Sequence, residues 1–223
     1  PEVEKTFFVY GGTISKEDKY LLCMIGCYDH KTGMVSKPTV VHDKQGVNDP
    51  HDNPALLIDK DGFLWVYIAG RGNHRPGLIY KSVRPYDITA FQWEGFKDVM
   101  AYPQPRYIQG KGHFLFFTRY DGERRLFFRT STDGLNWSNY QQIASIIAPG
   151  ETKSGHYQIT GQYGNKLVTT FNRHINGDCD TRTNIYYLQS MDFGKTWTLA
   201  DGTPIEIPIT DKDSPCKVLE MES

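Results

Sequence analysis

Three features of the 223-residue sequence predict an all-β fold made of repeated four-stranded antiparallel sheets. Aromatic residues form 13% of the chain, and turn formers are plentiful, with 21 Gly and 12 Pro. Rings suit pleated, half-buried surfaces, and Gly and Pro suit the turns between short strands. A strand pattern recurs about every 50 residues. No stretch holds a helical period without a Pro or Gly breaking it.

The repeat is legible in three copies. A second strand reads WVYIAGR (Trp65 to Arg71), FLFFTR (Phe114 to Arg119) and LVTTFNR (Leu167 to Arg173), each ending in arginine. A third strand reads LIYKS (Leu78 to Ser82), LFFRTS (Leu126 to Ser131) and NIYYLQS (Asn184 to Ser190), each ending in serine. The turns DKDGF (59–63), QGKGH (109–113) and QYGNK (162–166) are predicted hairpins between first and second strands. A less regular copy precedes these, with LLCMIGCYDH (21–30) read as its second strand.

After the serine, SMDFGKTW (Ser190 to Trp197) fits the pattern S-x-D-x-G-x-T-W, and STDGLNW (Ser131 to Trp137) is a version one residue shorter. Asp and Gly suit the tight turn, and the Trp is expected to pack under a neighbouring strand. Asp133, Trp137, Asp192 and Trp197 are therefore read as structural. This Asp-box resembles bacterial neuraminidase repeats, which build the blades of β-propellers. A 50-residue unit of four short strands is a propeller blade. The chain is read as one propeller region over 1–223, with blades near 2–48, 49–100, 101–153 and 154–210, and 211–223 as the approach to another.

Charge and cysteines narrow the function. The formal charge of −1 supplies no basic excess for a general nucleic-acid binder. No run approaches 18 apolar residues, so no membrane span is predicted, and Pro1 follows no visible signal peptide. Cys23, Cys27, Cys179 and Cys216 form no C-x-x-C motif. Cys23 and Cys27, four apart on a strand, would lie about 13 Å apart, too far for a disulfide.

In a propeller, the start of each innermost strand and the loop after the second strand meet on one face. That face collects His51, Arg71, His74, Arg75, Arg106, Tyr107, Arg119, Tyr120, His156, Tyr157, Arg173 and His174, with His30 one blade earlier. Arginine forks bind carboxylates, His and Tyr transfer protons, and rings with polar tips suit sugars. The pattern points to a pocket for an acidic oligosaccharide. The plainer reading is that the repeated arginines pair with acids between strands and that the loop histidines are solvated. His51, between Asp49 and Asp52 and flanked by Pro50 and Pro54, has the strongest functional claim. A metal at His51 and Asp52 lacks any recognised ligand spacing, and no cofactor is expected.

GVNDPHDNPALLIDKDGFLWVYIAGRG (46–72) resembles the BNR-repeat propellers of polysaccharide-degrading bacteria. These include glycoside hydrolase family 145 α-L-rhamnosidases and ulvan or rhamnose–glucuronate lyases. The similarity runs from Val9 to about Met221 and is most specific in DPHDNPAL (Asp49 to Leu56). It implies a seven-bladed ring of which this chain supplies about four blades, with the remaining blades as partners. It also implies that His51 matches the family's histidine and is catalytic. The expected function is cleavage of a uronate-containing polysaccharide, first as hydrolysis of a terminal α-L-rhamnose linked to glucuronate. A lyase acting by β-elimination, a sialidase-like hydrolase and a non-catalytic glycan-binding propeller are the alternatives. The expected location is periplasmic or extracellular.

Overall fold

The computed structural model describes residues 3–17, 21–72 and 75–221. Its strands fall into four consecutive antiparallel sheets, blade-like units of a propeller-like fold. Two compact units divide the chain, Pro1–Tyr107 and Ile108–Ser223. Among the described residues the helical elements are two short 3-10 turns, and no helix is long and apolar enough to cross a membrane.

The first unit holds two sheets. In one, β2 (Leu22–Asp29) pairs with β1 (Lys5–Gly12), β3 (Met34–Val35) and β4 (Thr39–Asp43). The other runs in the order β5 (Pro54–Ile58), β6 (Leu64–Ile68), β7 (Gly77–Ser82), β8 (Phe91–Asp98). Their shared core joins Cys23, Ile25 and Val41 to Leu64, Val66 and Ile68. All five residues of β6 are buried, which is why LWVYI reads as one apolar run instead of alternating. The β5–β6 turn forms because Asp59 accepts from the Asp61 and Phe63 amides and from the Trp65 indole, while Gly62 takes a left-handed φ of 82°. Cys23 and Cys27 are buried free thiols in this core.

The first sheet departs from the sequence reading. The Gly12 end of β1 lies at the start of β5, since a Cβ on Gly11 would come within 2.6 Å of Asn53 Oδ1. The other end of β1 lies by the opposite turn, with Phe7 stacked 6.5 Å from Tyr86. β2 therefore starts at the Asn53 end and runs away from it, in the sense of β7, so it is a third strand and not a second. The turn carrying His30 consequently sits at the far end, where its Nε2 lies 2.8 Å from Thr6 Oγ1. This copy lacks the terminal arginine and serine that mark strand phase in the others, and an apolar run alone does not supply the phase.

The division between units falls at the end of β9 (Ala101–Ile108), which begins the third sheet. That sheet continues through β10 (Gly112–Tyr120), β11 (Arg124–Ser131) and β12 (Gln141–Ala144). The fourth contains β13 (Gln158–Tyr163), β14 (Lys166–His174), β15 (Arg182–Ser190), β16 (Trp197–Thr198), β17 (Pro204–Ile205) and β18 (Lys217–Leu219). β18 lies within 211–223, the stretch read as the approach to another blade, and pairs with β15. Phe114, Phe116, Phe128, Phe171, Tyr186 and Trp197 build the second unit's core.

Both Asp-boxes are turns. Ser190 Oγ donates to Asp192 and accepts from the Gly194 amide, and Asp192 accepts from the Thr196 amide and hydroxyl. Ser131, Asp133 and Gly134 repeat the pattern. The Trp residues differ. Trp197 is buried against Phe116 and Phe128, while Trp137 is half-buried beside His113 and Arg129. The longer box contains Phe193 at a left-handed φ of 67°. Trp197→Ala is expected to destabilise the second unit by about 3–5 kcal/mol, and Trp137→Ala by about 1 kcal/mol, read as shifts of urea unfolding midpoints.

Candidate active site

In the first unit the site is built on the stretch between β4 and β5. Asp49 caps a single 3-10 turn, Pro50–Asp52, by accepting from the His51 amide at 3.0 Å. Pro50 suits the first position of that turn, and Pro54 favours the extended backbone of Asn53 before it. His51 is thereby lifted out, with its side chain 49% exposed. Its Nδ1 lies 2.7 Å from Asp49 Oδ1. Arg71 Nη1 also lies 3.4 Å from Nδ1, but the shorter contact is to an ionised carboxylate, which only accepts, and it assigns the proton of the neutral ring to Nδ1. Nε2, the other ring nitrogen, makes no hydrogen bond among the described residues, and in the neutral ring it carries the lone pair.

The loop after β6 closes on this turn. Gly70 permits the closure, because any Cβ there would lie 2.0 Å from the Arg75 carbonyl. Arg71 and Arg75 form an isolated bridge across the loop. Arg71 Nη1 reaches Asp49 Oδ2 at 3.2 Å, and Arg75 Nη2 reaches the same oxygen at 2.6 Å. Arg75 Nε also lies 3.1 Å from Asp52 Oδ2, and the buried Lys44 ammonium pairs with that oxygen at 2.9 Å. Partial burial pushes the Asp49 carboxyl up, but hydrogen bonds from His51, Arg75 and Arg71 outweigh it and hold the group well below the usual carboxylate range. Asp49 is thus a fixed anion, and three cations, Arg71, Arg75 and Lys44, surround the two carboxylates.

His74 lies outside the described residues. Arg106 donates to the Pro105 carbonyl at 2.8 Å, and burial lowers its pKa. Tyr107 is far along β9, with Lys60, Asp59 and Asp61 of the β5–β6 turn as its charged neighbours. It is therefore not brought to His51. The aromatic residue that meets His51 is Tyr102, edge-on at 6.3 Å between ring centroids and held at a left-handed φ of 49°. Of YPQPRY it is the first residues and not the last that lie at the His51 end, because β9 starts at residue 101, so Tyr102 and not the expected Tyr107 reaches the site.

The second unit gathers its own cluster. Arg124 Nη2 donates to Tyr120 Oη at 2.8 Å, and its Nη1 donates to the Gly177 carbonyl at 2.9 Å. Tyr157 stands edge-on to His174 at 4.7 Å, with the Arg182 guanidinium 5.3 Å from the Tyr157 ring. Arg124 and Arg182 are additions to the sequence reading. Both flank loops that the repeat had singled out, and the register Tyr120↔Arg124 would have pointed to the first. Other expected residues are committed to structure. His156 is buried, donating from Nδ1 to the Asn172 carbonyl and accepting at Nε2 from the Ile146 amide. Arg173 is buried in an ion pair with Glu151. Arg119 lies 3.6 Å from Asp121 and 4.2 Å from the Tyr140 ring. Asp178, Cys179 and Asp180 bring potential metal donors within 4.8 Å of one another, on a turn where both acids are exposed.

A family model for BNR repeat-containing family members matches residues 22–222. The chain belongs to that family. Among its relatives, this BNR-repeat protein is 22% identical to an ulvan lyase of Pseudoalteromonas sp. (strain PLSV), over 98% of this chain and 50% of the other. It is equally 22% identical to an ulvan lyase of Alteromonas sp. (strain LOR), over 98% of this chain and 51% of the other. The chain thus spans about half the length of the curated relatives it matches. A solved PL25 ulvan lyase bound to -[GlcA(1-4)Rha3S]- superposes with a TM-score of 0.77 at 19% identity, covering 93% of this chain and 54% of that one. That likeness shows the fold.

Burial lowers both His156 and His174 to about 4, and nearby Arg124 and Arg182 add to the effect at His174. Both values lie below the unfolded histidine value of about 6.5, so the unfolded chain binds protons first. Their stability contribution is complete above pH 6.5 and is lost as pH falls towards 4. Each histidine should lower unfolding free energy by about 1.4 kcal/mol per pH unit within that window. Both ring nitrogens of His174 lack a hydrogen-bond partner. His174→Phe should therefore remove one histidine's share of the slope while keeping stability at pH 7 within about 1 kcal/mol, measured by urea unfolding from pH 7 to pH 5.

Proposed function

We propose that this BNR-repeat protein is a polysaccharide lyase that cleaves beside a uronate by β-elimination. The observation that carries the reading is the His51 imidazole, anchored through Nδ1 on Asp49 and open at Nε2, beside the half-exposed Arg71 guanidinium. In the proposed step Arg71 binds the uronate carboxylate and lowers the barrier to losing the C5 proton. His51 Nε2 takes that proton, a C4–C5 double bond forms, and the C4–O bond breaks. The leaving oxygen is protonated by a donor, for which Tyr102 is our candidate.

The first expectation, hydrolysis of a rhamnose–glucuronate linkage, fits less well. A glycosidase of the usual kind needs a carboxylic acid of raised pKa to protonate the leaving group. Asp49 is held low and Asp52 is sealed by Lys44 and Arg75. The curated relatives are named ulvan lyases, which supports the same choice and suggests a sulfated rhamnose–uronate polymer as substrate. Such a polymer does not cross a membrane, so we place the enzyme outside the cytoplasm.

The test is to incubate the protein with uronate–rhamnose polysaccharides and follow ultraviolet absorbance. Elimination creates the unsaturated-uronate chromophore. New reducing ends without absorbance would overturn the lyase reading in favour of hydrolysis, and saturable binding without turnover would reduce the protein to a glycan-binding propeller. His51→Ala should lower kcat by about 10²–10⁴ without loss of fold, because the side chain is half exposed.

A further inference from the structure

The first unit contains a cavity of about 510 Å³ that the reaction scheme does not use. It lies between the end of β4 and the outer strands β7 and β8. The wall it shares with the candidate site is made by Asp52 and Arg75. Arg75 faces both regions, holding Asp49 on one side and lining the cavity on the other.

The lining has the chemistry of a sugar site. Trp93 is 52% exposed, an unusual state for the largest side chain. Its indole Nε1 is anchored on the Phe96 carbonyl at 3.1 Å, which holds the ring in place as a platform. Tyr80 Oη meets His42 Nδ1 at 2.9 Å, giving a positioned hydroxyl. Gln45 carries an amide on a residue at φ 47°, a left-handed conformation that non-glycine residues adopt sparingly.

The charge is equally specific. Lys44 and Arg75 are offset by Asp52, but Lys97 lines the cavity on β8 and makes no ion pair among the described residues. The cavity therefore carries a positive excess beside an aromatic plate and neutral hydrogen-bonding groups. An anionic sugar residue matches all three, whereas a neutral apolar ligand matches the aromatic plate alone.

We propose that this cavity is a distal subsite for an anionic sugar unit, carrying a carboxylate or a sulfate, of a polysaccharide whose neighbouring units pass His51. The inference rests on the lyase reading for the nature of the polymer, and on the cavity alone for the subsite. Trp93 stacks on the sugar face and Lys97 pairs with its anionic group. The subsite lengthens the bound segment, so its contribution grows with the length of the oligosaccharide.

The test uses the His51→Ala protein, in which ligand stays intact, and calorimetric titration with size-fractionated uronate–rhamnose oligosaccharides. Trp93→Ala should weaken binding of the longest chains by about tenfold and Lys97→Met by about two- to fivefold, each with a smaller penalty on the shortest. Both positions are exposed, so the fold is expected to survive. A Lys97→Met penalty that disappears on desulfated chains assigns the anion as sulfate; one that persists assigns it as carboxylate. Long-chain affinities equal to the parent's in both variants, while the His51-intact protein turns over polymer, would overturn the subsite and leave the lyase reading standing. Absence of both binding and turnover in the parent proteins would overturn both.

Discussion

The candidate site depends on one shared anion. Asp49 accepts from the backbone and ring of His51, from Arg71 and from Arg75, so a single carboxylate fixes the turn, the imidazole and the loop after β6. Arg75 extends the chain of charges to Asp52, whose side chain is 2% exposed, and Lys44 closes it from the end of β4. Removing one partner from such a buried group costs about 3–5 kcal/mol, since the other charge is left unpaired. The stretch from Lys44 to Asp52 and the Arg71 and Arg75 loop after β6 are thereby held in one geometry, and that geometry presents His51 to solvent. The catalytic assignment is a consequence of this clamp more than of the histidine alone.

Much of the fold is legible because turn chemistry is local. Asp59, Ser131 with Asp133, and Ser190 with Asp192 announce their turns through side chains that bond amides two to four residues away. The arginine and serine strand ends give the phase of the second, third and fourth sheets. The first sheet has neither marker, so its apolar runs suggest a phase one strand off and place His30 at the wrong end. Site residues are legible only where the backbone brings them together locally. DPHDNP contains its own capping acid, so His51 stands out. The repeated arginines share a position without sharing a role, because each takes whichever acid the fold supplies: Asp49 for Arg71, Asp121 for Arg119, Glu151 for Arg173. Those acids lie 2 to 22 residues away in sequence and in no repeated register, so no pattern discloses them.

The same electrostatics sort the possible reactions. A lyase needs a base, a cation for the carboxylate and a proton donor, and tolerates carboxylates that never change protonation state. A glycosidase needs a carboxyl group that does change. The site has a fixed anion in Asp49, an open imidazole nitrogen and a half-exposed guanidinium, which matches the first requirement. The cavity beyond Arg75 extends the positive surface outward, as a long anionic substrate would require.

The central claim is that Asp49 holds His51 as the Nδ1–H tautomer with a bare Nε2. Proton–nitrogen correlation spectra of the histidine side chains, with His51 assigned by its loss in His51→Gln, read this directly. The account predicts a protonated Nδ1 and an unprotonated Nε2 for the neutral ring in the native protein, and a shift of that balance in Asp49→Asn. A neutral His51 carrying its proton on Nε2, or an even mixture unaffected by Asp49→Asn, would contradict it.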